Sequence, residues 1–134
     1  MTRRPVLGLV AVVVTAFVVY ALAGATIDSP YLFADEGLYL EAARSVAEGD
    51  GVSLRGRTYP YGPLYPLAIA PLARLAPDLE AAWIAARILN ALFVALVAVP
   101  IFLLARRLLD PWPAVAAAGL AVAIPSTKYV SLVM

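Results

Sequence analysis

Apolar and polar positions along this chain fall into long blocks rather than short alternations. Residues 6–26 form an almost uninterrupted apolar run behind Arg3-Arg4. At 1.5 Å rise per residue, roughly twenty such residues match the hydrocarbon core of a bilayer, which predicts a first transmembrane helix. A second apolar block, 81–105, stops at Arg106-Arg107 and predicts a second span. Pro100 lies inside it and predicts a kink, because proline lacks a donor and clashes with the preceding turn. Arg87 and Asn90 fall in its first turns, where a long side chain can snorkel to the interface. A third, shorter block predicts a span over 108–127, entered through the Asp110-Pro111 turn. The predicted fold is all-α and integral to a membrane, with about three transmembrane helices and one long loop. A basic start and an apolar middle also describe a signal peptide, with Ala21-Leu22-Ala23 or Ala23-Gly24-Ala25 as cleavage sites. The length of the run favours an uncleaved anchor.

The pattern changes in the loop, residues 27–80. Asp28-Ser29-Pro30 reads as a turn. Over 36–48, Tyr39, Ala42, Ala43 and Val46 recur at i, i+3, i+4 and i+7, and Glu41, Arg44, Ser45 and Glu48 do so on the opposite face. This predicts an amphipathic helix lying along the membrane surface with its apolar stripe down. Gly49-Asp50-Gly51 supplies a left-handed stop. From 63 to 75 the pattern is helical and apolar, broken by Pro66 and Pro71. It is too short to span and predicts a re-entrant or surface-lying segment.

Composition agrees with the blocks. Of 134 residues 63% are hydrophobic and 14% charged, and the mean hydropathy is +0.89. A soluble domain carries about a quarter charged residues. The net charge of +1 gives nucleic-acid binding no electrostatic footprint. With no cysteine and no histidine, thiolate and imidazole chemistry are excluded. Acid–base work falls to carboxylates, tyrosines or Lys128. Charge asymmetry sets the orientation: the arginine pairs at 3–4 and 106–107 belong in the cytoplasm. The loop, with eight acidic residues against four arginines, then faces outward from the cytoplasmic (inner) membrane.

Candidate chemistry collects in that loop. Carboxylates beside a bilayer are costly unless paired, hydrated or used. Asp35 is a plausible N-cap of the 36–48 helix, and Glu36 sits where the helix dipole favours negative charge. Capping and catalysis are compatible roles for them. The pair also has the chemistry to bind a hard divalent cation, which the sequence does not require. Arg55 and Arg57 suit either a bound phosphate or anionic headgroups. Tyr59, Tyr61 and Tyr65 suit either the interfacial belt or stacking on a sugar or lipid headgroup. Trp83 and Trp112 sit where interface anchors are expected.

In order, the chain shows a first span, Asp35-Glu36 with Tyr39 one turn on, Ala42-Ala43-Arg44, the Gly49-Asp50 stop, Gly56, then Tyr59-Pro60-Tyr61 leading into Pro63-Leu64-Tyr65-Pro66. This plan resembles the first external loop of the GT-C class of membrane glycosyltransferases. That class includes the protein O-mannosyltransferases and the lipid A aminoarabinose transferases. The resemblance implies transfer of a sugar from a polyprenyl-phosphate donor to an acceptor hydroxyl on the external face. It implies Asp35 as the general base, supported or oriented by Glu36 and Tyr39, with a lipid-linked sugar and membrane lipids as partners. It also implies a chain continuing beyond Met134, of which this is the N-terminal part. Some members of the class carry a lysine before the proline pair to meet the donor phosphate. Here Tyr61-Gly62 stand in that place, which leaves phosphate binding to Arg55, Arg57 or later residues. The alternatives are a small non-catalytic membrane scaffold or assembly protein, and a transporter fragment. The loop position of the charges argues against the transporter.

Overall fold

The computed structural model describes residues 3–26 and 36–124. Its elements in chain order are α1 (Arg3–Ala25), α2 (Glu36–Glu48), β1 (Ser53–Leu54), β2 (Arg57–Thr58), α3 (Leu64–Leu75), α4 (Leu79–Leu96), α5 (Ala98–Ala105) and α6 (Pro111–Ala123). The molecule is mostly helical. Two stretches, α1 with 23 residues and α4–α5 with 27 from Leu79 to Ala105, are long and apolar enough to cross a membrane. At 1.5 Å per residue they reach about 35 and 40 Å.

The third predicted span is shorter in the structure than the sequence suggests. Among the described residues helix α6 has 13 residues, about 20 Å, less than the length of a crossing. Pro111 starts it at the first helical position, where no donor is needed. Ile124 ends it with extended backbone (φ −61°, ψ 135°), the conformation that the ring of the following Pro125 imposes on its neighbour. Residues 125–127, on which the longer span depended, lie outside the described residues.

Helices α4 and α5 divide at Val97, three residues before Pro100. The proline cannot donate to Leu96 and its ring crowds that turn, so the ladder breaks where the sequence predicts a kink. Alanines and glycines let α1, α5 and α6 approach closely. Ala98, Phe102, Ala114, Val115, Ala118 and Val122 form a buried cluster on which Leu9, Val12 and Ala16 of α1 pack. A Cβ on Gly8 would lie 3.1 Å from the Trp112 ring, so a larger residue there would make that ring give way by a few tenths of an ångström. The Tyr20 hydroxyl of α1 donates to the Val122 carbonyl near the end of α6.

The segment between the long helices builds a second body. The apolar stripe of α2 is not laid on a lipid surface: Leu40, Ala43, Ile69, Ala70, Ala82, Trp83 and Ala86 close into one buried cluster of α2, α3 and the start of α4. Protein, not membrane, covers that stripe. Helix α3 is also continuous where the prolines predicted breaks. Pro66 occupies its third position, where the backbone donor has no partner inside the helix anyway, and Pro71 costs it only one bond of the ladder.

Two turns orient this body. Gly49 has φ 96°, and the Gly49 and Asp50 amides donate to the Val46 and Ser45 carbonyls at 3.1 and 3.0 Å. This is the paired closure of a helix end that needs a left-handed residue, and glycine adopts it without a Cβ penalty. The chain then turns back as a two-stranded antiparallel hairpin with Ser53 opposite Thr58 and Leu54 opposite Arg57. Its loop residues Arg55 and Gly56 both have positive φ, 52° and 75°, as the two-residue turn matching strand twist requires.

Candidate functional site

The tyrosines singled out in the sequence converge. Tyr39 from α2 meets Tyr65 from α3 edge to face, with ring centroids 5.3 Å apart. Tyr59, just after β2, stands 6.4 Å from Tyr39 and 5.4 Å from Tyr61. Each such pair is worth about 0.5–1.5 kcal/mol beyond area burial. Tyr59 is buried, while Tyr61 is 59% exposed. Three of the rings therefore bind the hairpin and α3 to α2, while Tyr61 touches Tyr59 and is otherwise largely open to solvent.

Beside this cluster the polar face of α2 meets the hairpin. The Ser45 and Ser53 hydroxyls lie 2.6 Å apart and tie β1 to the helix. A groove of about 520 Å³ is lined by Gly37, Leu38, Leu40, Glu41, Arg44, Arg55 and Leu79. A second hollow of about 490 Å³ shares Glu41, Arg44 and Arg55 with it. Arg55 Nε lies 3.5 Å from Glu41 Oε1, with side chains 82% and 39% exposed. A solvated pair of this kind contributes at most about 1 kcal/mol. Arg55 holds its position at a cost: a bulky residue in the left-handed region is disfavoured by on the order of 1–2 kcal/mol, and such outliers gather at functional sites.

Arg57 is exposed on β2 and lines neither hollow. The cation that joins Arg55 is Arg44, which the sequence placed on a wet helix face and in the Ala42-Ala43-Arg44 run without a binding role. The missing signal was the hairpin itself. A turn reversing at Arg55-Gly56 carries position 55 back over α2, and no Asn-Gly or Asp-Gly pair announced it. Glu36 is the first residue of α2. Asp35, immediately before it, lies outside the described residues, and so does its predicted capping bond. Among the described residues no three His, Cys, Asp or Glu side chains come together as metal ligands.

One further charged residue departs from its sequence reading. Arg87 does not snorkel; it is 3% exposed. Its guanidinium lies 3.5 Å from the centroid of the Trp83 ring, and NH1 donates to the Gly24 carbonyl at 3.2 Å. Gly24 is in the last turn of α1, whose carbonyls lack helical partners and attract cations. Trp83, expected as an interface anchor, is buried beneath α2 in the same cluster as Ala43. A Trp and an Arg four residues apart on a helix are the legible trace of this stack.

Comparison with protein-family models, curated proteins and solved structures finds no match for this chain.

Proposed function

We propose that this chain serves a membrane glycosyltransferase of the GT-C class, moving a sugar from a polyprenyl-phosphate donor to an acceptor hydroxyl on the external face of the cytoplasmic membrane. The supporting observation is the groove in which Arg44 and Arg55 share one hollow with Leu38, Leu40 and Leu79. A polyprenyl phosphate is an anion on a hydrocarbon tail, and this lining offers guanidiniums to the one and leucines to the other. The Glu41 pair does not block the exchange. A charge-assisted bond from a guanidinium to phosphate is worth about 1.5–3 kcal/mol, more than the solvated carboxylate it displaces.

In this reading Asp35 takes the proton of the acceptor hydroxyl as its oxygen attacks the anomeric carbon. The bond from that carbon to the phosphate oxygen breaks, and the lipid phosphate leaves with the electron pair, held by Arg44 and Arg55. Attack opposite the leaving group inverts the anomeric centre. Glu36 and Tyr39 orient the base, and Tyr61 stacks on the sugar.

The test is transfer from labelled polyprenyl-phosphate sugars in membranes holding the full chain. Arg44→Gln and Arg55→Gln each raise the donor KM about tenfold or more, from the loss of one charge-assisted bond, and lower kcat as well, because the leaving phosphate gains charge as the bond breaks. Arg57→Gln leaves KM within about twofold, as expected of a solvated surface cation. A donor KM indifferent to both Arg44 and Arg55 would refute the assignment. A non-catalytic scaffold is the second reading. It is favoured by one observation: the tyrosine rings and Arg55 already serve each other and Glu41 inside the fold. It predicts no transfer from any such donor.

A further inference from the structure

Helices α1 and α6 run side by side in one direction, since Gly8 meets Trp112, Val12 meets Gly119 and Tyr20 meets Val122. Their starts therefore share one end of the bundle. Arg3 and Arg4 precede Gly8 by about 6–8 Å along the axis, at 1.5 Å per residue. Pro5 beside them is buried, so α1 stays against its neighbours down to its first turn. Arg106 and Arg107 reach the same end through α5. Ala105, just before them, packs on the cluster that also takes Leu9 and Val12 of α1, and the turn after them leads into α6 at Pro111. The fold thus joins two arginine pairs that stand far apart in sequence.

Arg3, Arg4 and Arg107 are exposed. Arg106 donates from NH1 to the Leu109 carbonyl at 2.6 Å, which holds its guanidinium at the turn. Among the described residues the one acid at this end is the exposed Asp110, and no ion pair joins it to any of the four. Apolar groups surround these cations. Leu108 at the turn is 89% exposed, and Leu7, Leu104 and Trp112 are each more than half exposed. A soluble polyanion would leave those groups in water, whereas a lipid covers them and meets the cations at once.

We propose that this end of the bundle binds the headgroup of an anionic phospholipid, the two arginine pairs donating to its phosphate oxygens and its acyl chains lying against Leu7, Leu108 and Trp112. Guanidinium forks match phosphate oxygens, and basic pockets between membrane helices take anionic headgroups. An indole prefers the boundary between hydrocarbon and water. The site lies at the end of α1 opposite Gly24 and the loop body. It rests on α1 and α4–α5 crossing a bilayer and not on the glycosyltransferase reading.

The full chain in neutral detergent micelles is titrated with phosphatidylglycerol, phosphatidylcholine and inorganic phosphate, and native mass spectrometry counts the bound lipid. Phosphatidylglycerol is held at least about tenfold tighter than phosphatidylcholine, and an equal concentration of inorganic phosphate does not displace it. Arg3→Gln with Arg4→Gln, and Arg106→Gln with Arg107→Gln, each weaken that binding about tenfold or more. The first pair carries the test if loss of the Arg106 bond to Leu109 unfolds the turn. Arg57→Gln with Arg74→Gln, at two exposed arginines of the loop body, leaves binding within about twofold. Equal binding of phosphatidylcholine, displacement by inorganic phosphate, indifference to the Arg3, Arg4 change, or an equal loss in the Arg57, Arg74 variant would each overturn the proposal.

Discussion

Changing Asp35 to Asn lowers sugar transfer by about 10²- to 10⁴-fold, the usual contribution of a positioned general base, with expression and donor binding unaltered. The substitution separates the two roles that the sequence left open. Asparagine caps a helix as well as aspartate does, so a residue that only started α2 would tolerate it. An amide cannot accept the proton of an acceptor hydroxyl, so a base would not. Initial rates and donor KM in membranes distinguish the cases, and wild-type turnover in the variant removes Asp35 from the mechanism.

The second large effect is structural. Ile69→Ala destabilises the loop body by about 2–5 kcal/mol, the range for deleting most of a buried aliphatic side chain. Ile69 is fully buried where α3 meets α2 and α4, so its loss opens a void under Leu40 and Ala43. Leu64, on the same helix but 81% exposed, provides the contrast. Leu64→Ala changes stability by no more than about 0.5 kcal/mol. Hydrogen exchange of the α2 amides reads both variants. Fast exchange across α2 in Ile69→Ala with intact α1 protection is expected; equal protection in the two variants would mean that α3 does not hold α2.

The legible parts of this chain were those written in period and punctuation. The 3.6-residue stripe from Tyr39 to Val46 and the glycine stop at Gly49 marked α2 at the bounds observed. Two long apolar blocks marked the two helices able to cross a membrane. What covers a stripe is not written in the stripe: periodicity showed that Ala43 faces something apolar but could not tell α3 from lipid. Proline was overread in α3, because its cost depends on position, and Pro66 falls where no donor is required. The third apolar block yields a described helix that ends at Ala123, with Ile124 extended ahead of Pro125, and the rest of the expected span lies outside the described residues. The aromatic residues of the candidate site were found by type, and their convergence needed the fold. Arg44 was passed over because its partner in the groove arrives through a hairpin of two-residue strands, too short for alternation to show. Arg87 was passed over because a snorkelling arginine and a buried one look alike in a helical pattern.

The proposed role of the Arg44–Arg55 groove depends on the side of the membrane that α2, the hairpin and α3 occupy. A chain without cysteine makes this directly measurable. Glu48→Cys places one thiol at the exposed end of α2, and Arg107→Cys places one beyond α5. With a membrane-impermeant maleimide on intact cells, Glu48→Cys labels at once and Arg107→Cys only after permeabilisation. The reverse order would put the groove of Arg44 and Arg55 in the cytoplasm, away from an external lipid-linked sugar, and the proposed function would fall with it.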